Sequence, residues 1–90
     1  MGLLTETEIQ GRLAGVPGWQ RRGQELRRSF SFPDFGAAMA FVNRVAGLAE
    51  AANHHPDIDI RYSKVTLVLS THDAGGLTER DFALAESIGA

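Results

Sequence analysis

Cysteine is absent from this chain, which removes both a disulfide framework and a thiolate metal site. No apolar run approaches the ~18 residues that a membrane-spanning helix needs. The opening MGLLTETE carries acids where a secretory leader has its basic region. No charge of one sign dominates either: nine Lys and Arg against eleven Asp and Glu leave a formal charge of -2, which argues against a general nucleic-acid or anionic-membrane partner. Repeats, low-complexity tracts and linkers are also missing. A soluble, cytoplasmic protein is therefore expected. Its ninety residues form one domain, 1–90. A domain this small buries only ~60–65% of its unfolded surface and is marginal alone, so self-association is a natural remedy.

What the chain does have is concentrated between Glu50 and Asp81. This stretch holds all three histidines, His54, His55 and His72, and imidazole ordinarily titrates at ~6.5, close to physiological pH. Asp57–Tyr62 and Val65–Thr71 alternate β-branched or apolar residues with polar ones and read as two strands. With Ser63-Lys64 as a two-residue turn, Tyr62 opposes Val65, Ile60 opposes Leu67 and Ile58 opposes Leu69, forming one apolar face. Arg61 with Thr66, Asp59 with Val68 and Asp57 with Ser70 form the other, and extending the ladder sets His55 across from His72. Ser-Lys is not a favoured turn pair, so a longer loop and a shifted pairing stay open. A one-residue slip would turn the isoleucines into water.

Ala37–Ala52 reads as a helix. Pro56 disfavours the α conformation at His55, so the helix should end near Asn53 or His54. Glu50 and His54, four apart, then share a helix face where the carboxylate orients or charges the imidazole. Glu50, His54, His55 and His72 thus form a candidate acid/base site. Two rival readings are surface or packing histidines, and a zinc site built from three imidazoles and a carboxylate. Against the latter, His54 and His55 bracket a helix end and need not converge on one ion.

Around this stretch the remaining elements fall into place. Thr5 and Glu8 have capping-box spacing at the start of a helix over Leu4–Ala14, with Leu4 and Ile9 as a hydrophobic staple. Trp19–Arg22 and Glu25–Phe32 form a second hairpin around Gly23-Gln24, with Leu26, Phe30 and Phe32 inward. Arg21, Arg22, Arg27 and Arg28 read as solvated strand faces, with a phosphate or acidic-partner contact as the alternative. Asp34 caps the long helix, whose stripe of Phe35, Ala38, Met39, Val42, Val45, Ala49 and Ala52 is core. Phe41 and Leu48 either widen that contact or serve a subunit interface. Thr78 and Asp81 repeat the capping spacing before a last helix, Glu79–Ser87, so both read as structural. Two hairpins and three helices, in the order α-β-β-α-β-β-α, make an α+β sandwich: a four-stranded antiparallel sheet with three helices on one face.

At Glu50, His54, His55, Pro56, Tyr62, His72 and Asp81 the sequence resembles the pterin-4a-carbinolamine dehydratases, known too as dimerisation cofactors of a homeodomain transcription factor. Every gap between these residues is one the family's signature allows. The resemblance extends more weakly from the N-terminal helix through the long second helix, and Asn53 stands where well-known animal members carry Asp. It implies the same fold, a homodimer or homotetramer, and dehydration of a 4a-hydroxytetrahydropterin to quinonoid dihydropterin without metal or other cofactor, the pterin being the substrate. It assigns His54 and His72 as proton donors, His55 as the residue that holds the pterin and takes the ring proton, and Asn53, Pro56, Ser70, Thr71 and Asp73 as substrate contacts. Trp19 reads first as a core or rim aromatic, and as a stacking partner for a flat pterin second. The alternative function is a protein-binding module, since family members also act as partners of other proteins through their self-association surfaces.

Overall fold

In the computed structural model, which describes residues 2–89, the first helix, α1 (Glu6–Leu13), begins where the Thr5/Glu8 spacing places it. The Thr5 hydroxyl accepts the Glu8 N–H at 3.2 Å and Glu8 Oε1 accepts the Thr5 N–H at 2.8 Å. Two otherwise orphaned donors are satisfied reciprocally. The bonds from the Thr5 N–H and hydroxyl hold the Glu8 carboxyl below its usual value. Strands β1 (Gln20–Arg22) and β2 (Glu25–Ser31) follow. They turn at Gly23, whose φ of 58° is free of the Cβ penalty other residues meet there.

Next comes the long helix α2 (Phe35–Ala52), capped by Asp34, whose Oδ1 accepts the Ala37 N–H at 2.8 Å. Strands β3 (Asp57–Arg61) and β4 (Lys64–Leu69) and helix α3 (Glu79–Ile88) complete the chain. All pairings are antiparallel, in the spatial order β1-β2-β4-β3.

Strand alternation decides which side the helices cover. Leu26, Val65, Leu67 and Leu69 are fully buried, packed with Ala38, Val42, Val45 and Ala49 of α2 and Phe82, Leu84, Ala85 and Ile88 of α3. Burying each leucine is worth roughly 1.5–3 kcal/mol. The intervening Arg27, Ser29, Ser31 and Lys64 face solvent on the bare side of the sheet. Two residues expected in the α2 stripe leave it, because the helix outruns the core at both ends: Phe35 is half exposed and Ala52 is exposed.

Phe41 widens the core, with ring centroids 4.6 Å from Phe30 and 5.1 Å from Phe32. Two of the four clustered arginines are also drawn inward. Arg21 pairs with Glu6, and Arg28 donates to the Pro17 and Gly89 carbonyls while lying 4.5 Å over the Phe30 ring.

The β3–β4 hairpin corrects the expected register. Ile58 opposes Leu67, Ile60 opposes Val65, Asp59 opposes Thr66 and Arg61 opposes Lys64, so the turn is Tyr62-Ser63, with Tyr62 left-handed at φ 52°. This is a shift of two residues, which leaves every side chain on its expected face. The cause is the third strand. β2 claims Lys64 through its pairing with Ser31, and the Phe32 N–H donates to the Ser63 carbonyl at 2.9 Å. Lys64 is thereby pulled into the ladder and the turn moves back. Because β3 is an edge strand, Ile58 and Ile60 are each 37% exposed rather than buried.

This register makes a ranking of two Thr66 variants. Thr66 faces Asp59 on one side and bonds the Ser29 hydroxyl at 2.9 Å on the other. Thr66→Lys is expected to stay within ~0.5 kcal/mol of wild type in urea unfolding, and Thr66→Asp, opposed to a like charge, to fall ~1 kcal/mol below it. The reverse order would be the mark of a Thr66–Arg61 pairing.

Candidate active site

The helix end determines where the two adjacent histidines go. Asn53 terminates α2 in the left-handed conformation (φ 49°, ψ 43°), its N–H donating to the Ala49 and Glu50 carbonyls, and the His54 N–H donates to Ala49 at 3.1 Å. Asn tolerates this conformation better than most residues. The chain therefore swings before His54 instead of continuing the helix. His54 is thrown inward to 7% exposure, while the His55 side chain stays 56% exposed.

This swing overturns the expected Glu50–His54 pair. Glu50 accepts a hydrogen bond from His55 Nε2 at 2.5 Å. His54 Nε2 instead donates to Oδ1 of the fully buried Asp81 at 2.6 Å. The other Asp81 oxygen accepts from the Thr71 hydroxyl at 2.8 Å and the Thr78 N–H at 2.9 Å, and the Thr71 and Thr78 hydroxyls bond each other at 2.8 Å. Asp81 is thus the expected helix cap and, in addition, the group that orients an imidazole.

Beyond Leu69 the chain leaves the β4 ladder for a turn closed by the Thr71 N–H donating to Gly76 at 2.9 Å, with Gly75 at φ 78°. His72 and Asp73 sit exposed on it. Asn53, His54, His55, Ser70, Thr71, His72, Asp73 and Arg80 line one cleft of about 180 Å³. An adjoining hollow of about 270 Å³ is walled by Thr71, Asp73, Ala74 and Arg80.

The three histidines do meet, though not by the expected ladder. Continued past its end, the observed register sets Ser70, not His72, across from His55. His72 arrives by way of the turn, and its ring has no hydrogen-bond partner among the described residues.

Other expected members stand elsewhere. Trp19 follows its first reading, a buried core aromatic edge-on to Phe30 at 6.3 Å, and the second, a stacking partner for the substrate, is corrected because the ring lies outside the cleft lining. Pro56, half-buried, follows the end of α2 but is not in the cleft lining, and Glu50 reaches the site only through His55. Ser70 lines the cleft while its hydroxyl donates to the Gln24 carbonyl at 2.9 Å. Tyr62, at the far end of β3, is 71% exposed.

Arg80 escaped the reading of the sequence. It lines the cleft, the adjoining hollow and a third cavity of about 200 Å³ behind His54, and donates to the Asn53 carbonyl. Its signal was a broken local rule. A cation in the first turn of α3 opposes the helix dipole, and such inconsistencies tend to mark functional sites.

The arrangement offers two imidazoles oriented by carboxylates and a third left free, beside hydroxyl, carboxylate and guanidinium groups. Such a set can deliver a proton to one atom of a small ligand and withdraw one from its neighbour.

Comparison with known proteins gives the same direction. The sequence profile described as pterin 4 alpha carbinolamine dehydratase matches residues 2–90. A relative from Roseiflexus castenholzii, provisionally named a pterin-4-alpha-carbinolamine dehydratase, is 62% identical over 86 residues, covering 96% of this chain and 92% of its own. One from Acidobacterium capsulatum with the same provisional name is 60% identical over 88 residues, covering 98% and 96%. The crystal structure of a transcriptional coactivator/pterin dehydratase from Brucella melitensis superposes with a TM-score of 0.91 at 36% identity, covering 96% of this chain and 94% of that one. A pterin dehydratase-like protein described as a RuBisCO assembly factor in the alpha-carboxysome gives 0.69 at 25% identity, covering 82% and 88%. This chain belongs to the pterin-4a-carbinolamine dehydratase family.

Proposed function

We propose that the protein dehydrates a 4a-hydroxytetrahydropterin, of the 4a-hydroxytetrahydrobiopterin type, to quinonoid dihydropterin and water, and so recycles a spent pterin cofactor. The observation that carries this reading is the single cleft lined by His54, His55 and His72. In the reaction the bond from the carbinolamine carbon to its hydroxyl breaks, the departing oxygen takes a proton, and the adjacent ring nitrogen gives one up as the C=N bond forms. His54 and His72 are assigned to the hydroxyl side. His55 is assigned to hold the pterin and take the ring proton.

The carboxylate partners suit these roles. With Nε2 of His54 committed to Asp81, Nδ1 is the position left for exchange. Asn53, Ser70, Thr71 and Asp73 are proposed to contact the polar edge of the pterin. No metal or further cofactor is assigned, because the chemistry needs only two proton transfers, each worth ~10² to 10⁴ in rate. The test is a dehydration assay on enzymatically generated 4a-hydroxytetrahydropterin. A rate no faster than the spontaneous one would sink the reading.

A second copy of the chain is the proposed structural partner, in a homodimer or a larger homo-oligomer. Ile58 and Ile60 are exposed on the edge strand β3, between Asp57, Asp59 and Arg61. An antiparallel two-fold pairing about Ile60 would set Asp59 against Arg61 of the second copy, Ile60 against its own counterpart and Ile58 against Tyr62, covering an edge otherwise open to aggregation. Light scattering should find the wild type oligomeric and an Ile58→Lys/Ile60→Lys variant folded with a smaller mass. An unchanged mass would remove this interface.

The same exposed strand, with Tyr62 beside it, favours the second functional reading, a protein-binding module. The described role of the alpha-carboxysome relative points the same way. Absence of dehydration by a folded oligomer would favour it.

A further inference from the structure

We propose that Arg80 is a positioning residue for the histidine pair, acting through the Asn53 carbonyl; the inference rests on the dehydratase reading of the cleft. Arg80 and Asp81 are consecutive on the first turn of α3, and together they grip the segment that ends α2 at two points. Asp81 holds the ring of His54, and Arg80 holds the peptide carbonyl that immediately precedes it.

That carbonyl belongs to Asn53, the one residue whose left-handed conformation sends His54 inward and leaves His55 outward. A rotation of the Asn53–His54 peptide would move both imidazoles relative to His72, which is carried on a different segment. Displacements of about 1 Å at a reacting group can cost ~10²-fold in rate.

The placement of Arg80 is otherwise uneconomical. It has no carboxylate partner among the described residues, and it stands where the α3 dipole disfavours a cation. A solvated helix surface would not select it. Arg80 also lines both the histidine cleft and the cavity formed with Ala52, Ala83, Leu84 and Ser87, so direct contact with the substrate is the competing explanation.

Two variants of the full chain separate these. Arg80→Met keeps the aliphatic stem and removes the donors, and Arg80→Lys returns one. Positioning predicts that Arg80→Met lowers kcat about tenfold or more with KM changed less than about threefold, and that Arg80→Lys recovers part of the loss. It also predicts that the His54 Nε2–H resonance, bonded to Asp81, shifts or broadens in Arg80→Met without substrate.

A rise in KM at unchanged kcat would make Arg80 a substrate contact and overturn the proposal, as would wild-type kcat with an unmoved resonance. Should the wild type prove inactive, the functional reading fails by itself. The resonance then decides the positioning role alone: a shift in Arg80→Met upholds it, and an unchanged signal overturns it.

Discussion

Asp81→Ala is expected to destabilise the protein by ~3–5 kcal/mol and lower its melting temperature by ~15 °C or more. The carboxylate is fully buried and accepts from His54, the Thr71 hydroxyl and the Thr78 N–H. Removing it breaks the Asp81 half of the α3 capping box, leaving the Thr78 hydroxyl to cap the Arg80 N–H, and strands donors that each cost ~1–3 kcal/mol when buried without a partner. The Thr71–Thr78 hydroxyl bond survives and limits the loss. Domains of this size have only ~5–13 kcal/mol in total, so the variant should be marginal at 37 °C.

Asp81→Asn separates stability from chemistry. Its oxygen can still accept from Thr71 and Thr78, while its amide N–H would face His54 Nε2 and force the opposite tautomer. Most of the stability should remain and activity should fall by ~10² or more, as when an orienting carboxylate is replaced by its amide in other imidazole systems. Calorimetry and the dehydration assay on the two variants check both halves. An Asp81→Ala protein melting within ~3 °C of wild type would mean the network is not built as described.

The second large effect is on activity alone. His55→Ala is expected to lower kcat/KM by ~10² or more while leaving the fold intact. The His55 side chain is mostly exposed and its Glu50 partner more so, at 56% and 77%. A contact so solvated contributes at most ~1 kcal/mol. Loss of the proton acceptor assigned to the ring nitrogen is what the assay would read. Wild-type turnover by a folded His55→Ala protein would remove the mechanism, whereas an inactive and unfolded one would show that the exposure of His55 has been misjudged. Circular dichroism on the same sample distinguishes these.

Local chemistry wrote the boundaries of this fold into the chain. The Thr5/Glu8 and Thr78/Asp81 spacings started two helices, Asp34 started the third, and Pro56 stopped the long one within a residue or two of its actual end. Alternation in Asp57–Tyr62 and Val65–Thr71 located two strands, observed as Asp57–Arg61 and Lys64–Leu69, and their faces, because a side chain's face depends only on its parity along the strand. The histidine cluster was legible for the same reason: a helix end and a strand end near the same hairpin bring their residues together whatever the detailed pairing.

Contacts distant in sequence decided the rest. The hairpin turn moved by two residues because β2 claims Lys64, a constraint that no inspection of the hairpin alone contains. Glu50 pairs with His55 rather than His54 because the left-handed Asn53 breaks the helical spacing on which the expected pair depended. Ile58 and Ile60 lie at the surface because β3 is an edge strand, whereas Trp19, although it adjoins the other edge strand β1, is covered by the core around Phe30. Asp81 and Arg80 acquired their partners only when α3 docked across the end of α2. By itself the sequence determined which segments would be helix or strand, which way their side chains would face, and which histidines would gather. Tertiary packing decided which carboxylate each imidazole meets, since hydrogen-bond partners 27 residues apart, such as His54 and Asp81, are set by the docking of elements and not by any local spacing.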